Sequence, residues 1–363
     1  MNRIIRLTIT QRIIQIVALA TVVGLLAGCA TPPSAQTAVS AIDAPKPEAA
    51  NDHEEEHVDT LDVLPVLSAA ALDEGETLRV VATTNIVGDV VREVGGNAIE
   101  LVQLLPIGAD PHSYQARPSD LRELNGAHVI FVNGLHLEEA LQSVFDTVDS
   151  GAPIVPVNSG VPTIEFDADH THDQDAADEA ASDHHHEGAD PHTWMDVHNV
   201  EIWVDNVAAT LAALDPANAG QYAANADAYR AQLAELQAEI VAAVATIPPE
   251  KRKLVTDHSN LAYLANAYGF TVTGTVIPSL STLASPSAQQ LAALQQQIEQ
   301  ENIEAIFVGT TVNPKVAEQI AVDTGAAIVP IYTGSLSDAQ GPAATYLAMM
   351  RYNIDQIVRA LAE

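Results

Sequence analysis

From Leu78 onward, short apolar runs alternate with stretches of helical spacing, and this alternation occurs in two sets. In the first set, residues 78–83 read as a strand and 87–94 as a helix stopped by Gly95-Gly96. Residues 100–105 read as a second strand, and Pro118-Ser119-Asp120 opens a short helix. Residues 127–132 and 153–157 follow as strands, with a helix expected over 137–148. The second set places strands at 253–256, 271–277, 305–308 and 327–331, with helices at 260–268, 287–301, 314–324 and 342–361. Strands that alternate with helices predict an α/β fold. It has two βα lobes, each a mainly parallel sheet flanked by helices.

Between the sets, residues 217–246 carry Tyr222, Tyr229, Leu233, Leu236, Ile240 and Val244 at spacings of three, four and seven, and Pro248-Pro249 ends the run. This predicts one long connecting helix over 216–248, between an N-terminal lobe at 77–215 and a C-terminal lobe at 249–363. The apolar stripe is core packing. A single rigid helix permits less hinge motion than several flexible crossovers.

The first residues follow a different pattern. Arg3, Arg6 and Arg12 precede a mostly apolar stretch over 13–26, too short for a comfortable membrane span, which ends in Leu26-Ala27-Gly28-Cys29. This resembles a bacterial lipobox. It implies a signal peptide over 1–28, lipidation at Cys29 and an extracytoplasmic protein anchored to the cell membrane by its lipid. Cys29 is the single cysteine, so no internal disulfide forms. Residues 29–76 are rich in Ala, Pro, Ser, Glu and Asp without a persistent period, and read as a flexible tether. The formal charge of −33 argues against nucleic acid as a partner, because such a surface repels phosphate.

Histidines supply the chemistry. His112 lies in a loop after the strand at 100–105, His258 directly follows the strand at 253–256, and His192 precedes a helix. Ligand sites in open α/β sheets lie beyond the carboxyl ends of strands. Neutral imidazole suits zinc, copper, nickel and iron. Asp-Pro-His occurs at both 110–112 and 190–192, where proline stiffens the loop that aims the ring.

Asp110-Pro111-His112-Ser113-Tyr114 with Arg117-Pro118-Ser119-Asp120, Asp190-Pro191-His192-Thr193-Trp194-Met195-Asp196, Asp257-His258-Ser259 through Ala267-Tyr268-Gly269-Phe270, and the segment Tyr346 to Asn353 stand in the order of four family motifs. The chain from Leu78 onward resembles the cluster A-I, or cluster 9, metal-binding proteins of ABC importers. The resemblance implies a monomeric, non-enzymatic protein that holds Zn2+ between its lobes and passes it to a permease and ATPase. His112, His192 and His258 match the ligand positions. Zinc-type members have histidine at the third of these, and manganese-type members have glutamate. A manganese- or iron(II)-binding member of the same class is the alternative. The family's fourth position is often aspartate. Here Thr333-Gly334-Ser335 puts glycine there, so Asp338 or water is left to complete the site. Some relatives were first described as adhesins, and cell adhesion enters only by that association.

The insertion at 167–190 contains His170, His172, His184, His185 and His186 among acidic residues, with no Lys or Arg. Zinc-type members carry such a loop at this place. It reads as an auxiliary metal-handling segment, disordered without metal. Three histidines with an open position also describe a catalytic zinc site, with Asp257 or Glu187 as base. No His-Glu-x-x-His or comparable catalytic spacing accompanies them.

Overall fold

The computed structural model describes residues 64–73, 75–166 and 188–362. The leader, Cys29 and the five histidines of the insertion lie outside the described residues.

Two four-stranded parallel sheets form the frame. The first contains β1 (Leu78–Ala82), β2 (Ile99–Gln103), β3 (Val129–Val132) and β4 (Ile154–Pro156) in the order β2-β1-β3-β4. A two-stranded antiparallel ribbon of β5 (Glu165–Phe166) and β6 (Gly188–Ala189) follows. The second sheet contains β7 (Lys253–His258), β8 (Thr271–Ile277), β9 (Ala305–Gly309) and β10 (Ala327–Ile331) in the order β10-β9-β7-β8. Numbered within each lobe, the two orders are the same. Each sheet therefore has one topological switch point, between β1 and β3 in the first and between β7 and β9 in the second. Strands buried on both faces read as continuous apolar runs. All four residues of β3, Val-Ile-Phe-Val, and all five of β9 are buried.

Helices α1 (Asn85–Gly95), α2 (Pro118–Asn125) and α3 (Gln142–Phe145) belong to the first sheet. Thr84 caps α1 by accepting the Val87 N–H at 3.1 Å. Then come α4 (Val197–Leu214), the helix expected after the second motif, and α5 (Ala219–Val244). The second sheet carries α6 (Ala262–Tyr268), α7 (Ala288–Glu301), α8 (Lys315–Thr324) and α9 (Tyr346–Leu361). The α5 stripe is Tyr222, Ala226, Tyr229, Leu233, Leu236, Ile240 and Val244, all buried. One continuous core runs from β1 and α1 through α4 and α5 to α6 and α9. Smaller clusters fill the outer faces of the sheets, one with Leu124 of α2 and one with Leu294 and Ile298 of α7 and Ile320 of α8.

Buried polar ties join the two sheets. The Asn85 amide donates to Ser335 Oγ at 2.9 Å and accepts the Leu336 N–H at 2.8 Å. Trp194 Nε1 donates to the Thr333 carbonyl at 2.9 Å, and the Tyr346 hydroxyl donates to the Trp194 carbonyl at 2.8 Å. Asp89 of α1 accepts the Tyr346 N–H at the start of α9, at 2.8 Å.

Four sequence expectations need correction. The helix expected at 137–148 is a 3-10 turn at Glu139–Leu141 and the single turn of α3. Leu135 and His136 take left-handed φ of 53° and 59°, and the buried Glu138 carboxylate accepts the Asn133 and Gly134 N–H groups. That closed loop consumes the residues that would have formed the first helical turn. The last helix begins at Tyr346 and not at 342, because extended Thr345 caps it through the Ala348 N–H. The tether reading extends too far: Leu64, Leu67, Ala70 and Leu72 pack on the core, and the Ala70 N–H donates to the Leu214 carbonyl at 2.8 Å. The insertion likewise ends before 190, since Gly188 and Ala189 pair with Phe166 and Glu165.

Burial pushes the Asp89 carboxyl up to about 6, against the hydrogen bond from Tyr346 and the charge of Arg92. Between its unfolded value, near 3.8, and 6, the folded state holds a proton that the unfolded state has released. Stability attributable to Asp89 is therefore present at low pH and lost as pH rises through that window. Asp89→Asn is expected to gain stability relative to wild type as pH rises from about 4.5 to about 7, read from urea midpoints. A difference that stays constant over this range would show that Asp89 ionises as freely in the fold as in the unfolded chain.

Candidate metal centre

His258 is the last residue of β7, at the switch point of the second sheet. The preceding Asp257 spans that point, with Oδ2 accepting the Gly309 N–H at the end of β9, at 3.0 Å. Its Oδ1 accepts the His258 N–H at 2.9 Å and meets His258 Nδ1 at 3.1 Å. Burial alone would raise the Asp257 carboxyl, but His258 and the N–H groups of Gly309 and His258 hold it below the usual carboxylate range.

His192 is built the same way on the first sheet. Asp190 Oδ1 accepts the His192 N–H at 2.9 Å and meets Nδ1 at 2.7 Å. Asn133, next after β3, donates to the Pro191 carbonyl at 3.0 Å and so anchors the Asp-Pro-His turn to the sheet. His112 lies in the loop after β2, where Asp110 Oδ1 accepts its N–H at 3.1 Å. A carboxylate one or two residues earlier therefore holds the backbone N–H of each histidine. At His192 and His258 the carboxylate also engages Nδ1, which leaves Nε2 to face the site.

The three rings converge. Their centroids lie 5.1 to 5.5 Å apart, and one donor atom from each falls within 4.8 Å of the other two. His112 Nε2 and His192 Nε2 are 3.2 Å apart. His258 Nε2 is buried and has no hydrogen-bond partner. A buried polar atom without a partner is costly unless something absent from the protein itself satisfies it. The rings are 2 to 7% exposed. Burial pushes the His112 imidazole well below its usual value, and His192 and His258 push it further the same way. Burial also lowers His192, against the opposing pull of Asp190. Both rings are thus neutral at neutral pH, the form that donates a lone pair.

Asp338 is not brought to this group. It is exposed, and its Oδ1 accepts the Gln340 N–H at 3.0 Å. Gly334 does lie near the first lobe: a Cβ there would stand 3.2 Å from Pro111 Cδ, and 3.0 Å from Thr311 Oγ1 of its own lobe. The orienting roles of Asp190, Asp257 and Asn133 were not assigned from sequence. The signal for the two carboxylates was present, because every one of the three histidines has an aspartate one or two residues before it. Asn133 carries no such mark.

The family model described as zinc-uptake complex component A, periplasmic, matches residues 80–360. The chain is 34% identical over 292 residues to the manganese-binding lipoprotein MntA of Halalkalibacterium halodurans, covering 80% of this chain and 91% of that one. It is 31% identical over 297 residues to the iron ABC transporter substrate-binding lipoprotein MtsA of Streptococcus pyogenes serotype M1, with the same coverage of 80% and 91%. Among solved structures it is similar to the periplasmic zinc-binding protein TroA from Treponema pallidum, with a TM-score of 0.70 and 28% identity over 79% of this chain and 100% of that one. It is also similar to a manganese-bound periplasmic metal-binding protein from Candidatus Liberibacter asiaticus, with a TM-score of 0.68 and 29% identity over 78% and 100%. These relatives are solute-binding proteins and not enzymes, which sets the hydrolase alternative aside. The chain belongs to the zinc-uptake component A family, the extracytoplasmic proteins that bind divalent metal for ABC transporters.

Proposed function

We propose that the chain captures Zn2+ outside the cytoplasm through His112, His192 and His258 and delivers it to the permease and ATPase of an ABC importer. The observation that carries this reading is the donor set: three imidazoles converge, two of them held neutral by burial, and no carboxylate joins them among the described residues. Zinc bound by imidazole at about 2.0–2.1 Å in tetrahedral geometry needs nitrogens about 3.3 Å apart. The 3.2 Å between His112 Nε2 and His192 Nε2 fits that spacing. The unpartnered His258 Nε2 offers a third corner. Water is the simplest occupant of the fourth, since Gly334 has no side chain and Asp338 faces solvent. Manganese prefers oxygen ligands, and this set offers nitrogen.

A second reading is manganese or iron(II) as the ion, because relatives at 34% and 31% identity are named for those metals. Competitive titration of metal-free protein separates the two. Zinc is expected to displace manganese, and His258→Ala is expected to weaken zinc binding by at least about a hundredfold, or about 2.8 kcal/mol. Removal of residues 167–187 is expected to abolish only weaker, additional zinc binding. Manganese binding tighter than zinc would establish the second reading.

Proton competition gives a separate test. Burial holds the His112 and His192 imidazoles below their usual range, so proton competition at these two ligands is confined to pH below about 6.5. Zinc affinity is expected to stay flat from about pH 8 to about pH 6.5 and to fall below that, as read by isothermal titration. A steady decline beginning well above pH 6.5 would contradict it.

The same reading places the protein on the membrane through Cys29. Cys29→Ser is expected to move the protein from the membrane fraction to the soluble fraction, and an unchanged distribution would show that another element anchors it.

A further inference from the structure

We propose that Thr282 is a positioning residue that sets how long the captured ion is retained, by tying the His112 turn to the segment that carries His258. The proposal rests on the metal-binding reading above. The Thr282 hydroxyl donates to Asp110 Oδ2 at 2.6 Å. The same carboxylate accepts Ser113 Oγ at 2.8 Å and, through Oδ1, the His112 N–H at 3.1 Å. Thr282 is therefore the cross-sheet partner of the group that shapes the His112 turn.

His112 depends on that turn more than the other two histidines depend on theirs. Asp190 and Asp257 each give an oxygen to the ring Nδ1 of their own histidine. Asp110 gives its second oxygen to Thr282 and Ser113 instead. The aim of His112 then comes from the backbone of its turn, and the turn is tied from outside by a residue of the loop after β8.

Thr282 is itself held to the His258 segment. Its loop follows β8, whose Ile277 pairs with His258 of β7. The Ser259 N–H donates to the Ser279 carbonyl at 2.9 Å, and the Ser281 N–H donates to Ser279 Oγ at 3.1 Å. A path of hydrogen bonds thus joins two of the three converging histidines without passing through an ion.

This tie is less buried than those at Asn85, Trp194 and Asp89, and the His112 loop has a second part-buried tie, the Gly108 N–H donating to Ser335 Oγ at 2.8 Å. The bonds from Asn85 to Ser335 and Leu336, from Trp194 to Thr333 and from Asp89 to Tyr346 are buried. The Thr282–Asp110 bond is only part-buried, with exposed Ser113 beside one partner and Leu283, 66% exposed, beside the other. Breaking it loosens the turn at Asp110 and Ser113 while the Gly108–Ser335 bond and the buried ties still hold the sheets together, so that His112 is displaced locally as the ion leaves.

Zinc release into excess chelator, followed in wild type, Thr282→Val and Thr282→Ser, tests the proposal. Valine keeps the volume and removes the hydroxyl, while serine restores it. Release is expected to be about tenfold faster in Thr282→Val, with Thr282→Ser close to wild type and the association rate unchanged. Hydrogen–deuterium exchange of residues 108–114 in metal-free protein supplies an arm independent of zinc, and it is expected to quicken in Thr282→Val only. Equal release rates in wild type and Thr282→Val, or a serine variant as fast as valine, would overturn the proposal. Zinc not retained even by wild type, with exchange still quickened in the variant, would overturn the metal reading and the retention role with it, leaving the tie as a structural contact.

Discussion

Three imidazoles buried side by side are the constraint around which this protein is arranged. Two of them bring Nε2 atoms to 3.2 Å, and the third leaves its Nε2 without a partner. Protonation of any ring would put a charge in a site closed to water, and burial holds His112 and His192 in the neutral form. Neutral rings must still satisfy their remaining N–H groups. Asp190 and Asp257 each place an oxygen against Nδ1, which turns the opposite nitrogen into the site. The carboxylates need support in turn. Asp257 finds it in the Gly309 N–H, where a Cβ on Gly309 would meet the Thr333 hydroxyl and stand 3.0 Å from Asp257 Oδ2. Only glycine leaves room for that approach.

The sheets supply the geometry that such a site needs. Each has the same strand order and so a switch point where loops on either side of it diverge. His258 and Asp257 stand at the switch point of the second sheet, and Asn133 reaches from the end of β3 to the turn that carries His192. A core shared through α1, α4, α5 and α9 fixes the two sheets against one another. With both lobes set on a common layer, small local displacements of loops at the rim are a cheaper route to the site than swinging one lobe away from the other.

The ligand set and the packing agree on what the site excludes. A Cβ at 334 would stand 3.0 Å from Thr311 Oγ1 of its own lobe and 3.2 Å from Pro111 Cδ of the first lobe, so a larger residue there must displace one of them. The turn that positions His112 thus lies against the glycine that offers no oxygen donor. The missing side chain at 334 bears both on the donor set and on how closely the Pro111 turn approaches.

The sequence by itself determined the class of fold, nearly all of the strands and the three histidines. These are carried by local signals: continuous apolar runs for buried parallel strands, a stripe at spacings of three and four for α5, and a rigid Asp-Pro-His or Asp-His placed where a strand or helix ends. Tertiary structure alone decided the features that depend on partners distant in the chain. Residues 137–148 have helical spacing, yet Glu138 closes a loop onto Asn133 and Gly134 and removes the helix. Residues 64–73 have the composition of a linker, yet four of their apolar side chains find a core surface. Asp338, four residues beyond Gly334, is near the site in sequence and faces solvent in space. Thr282 is 170 or more residues from the carboxylate it holds, and no periodicity or motif records such a bond. Local propensity is written in neighbouring residues. A hydrogen bond across two sheets exists only once both sheets have folded and packed.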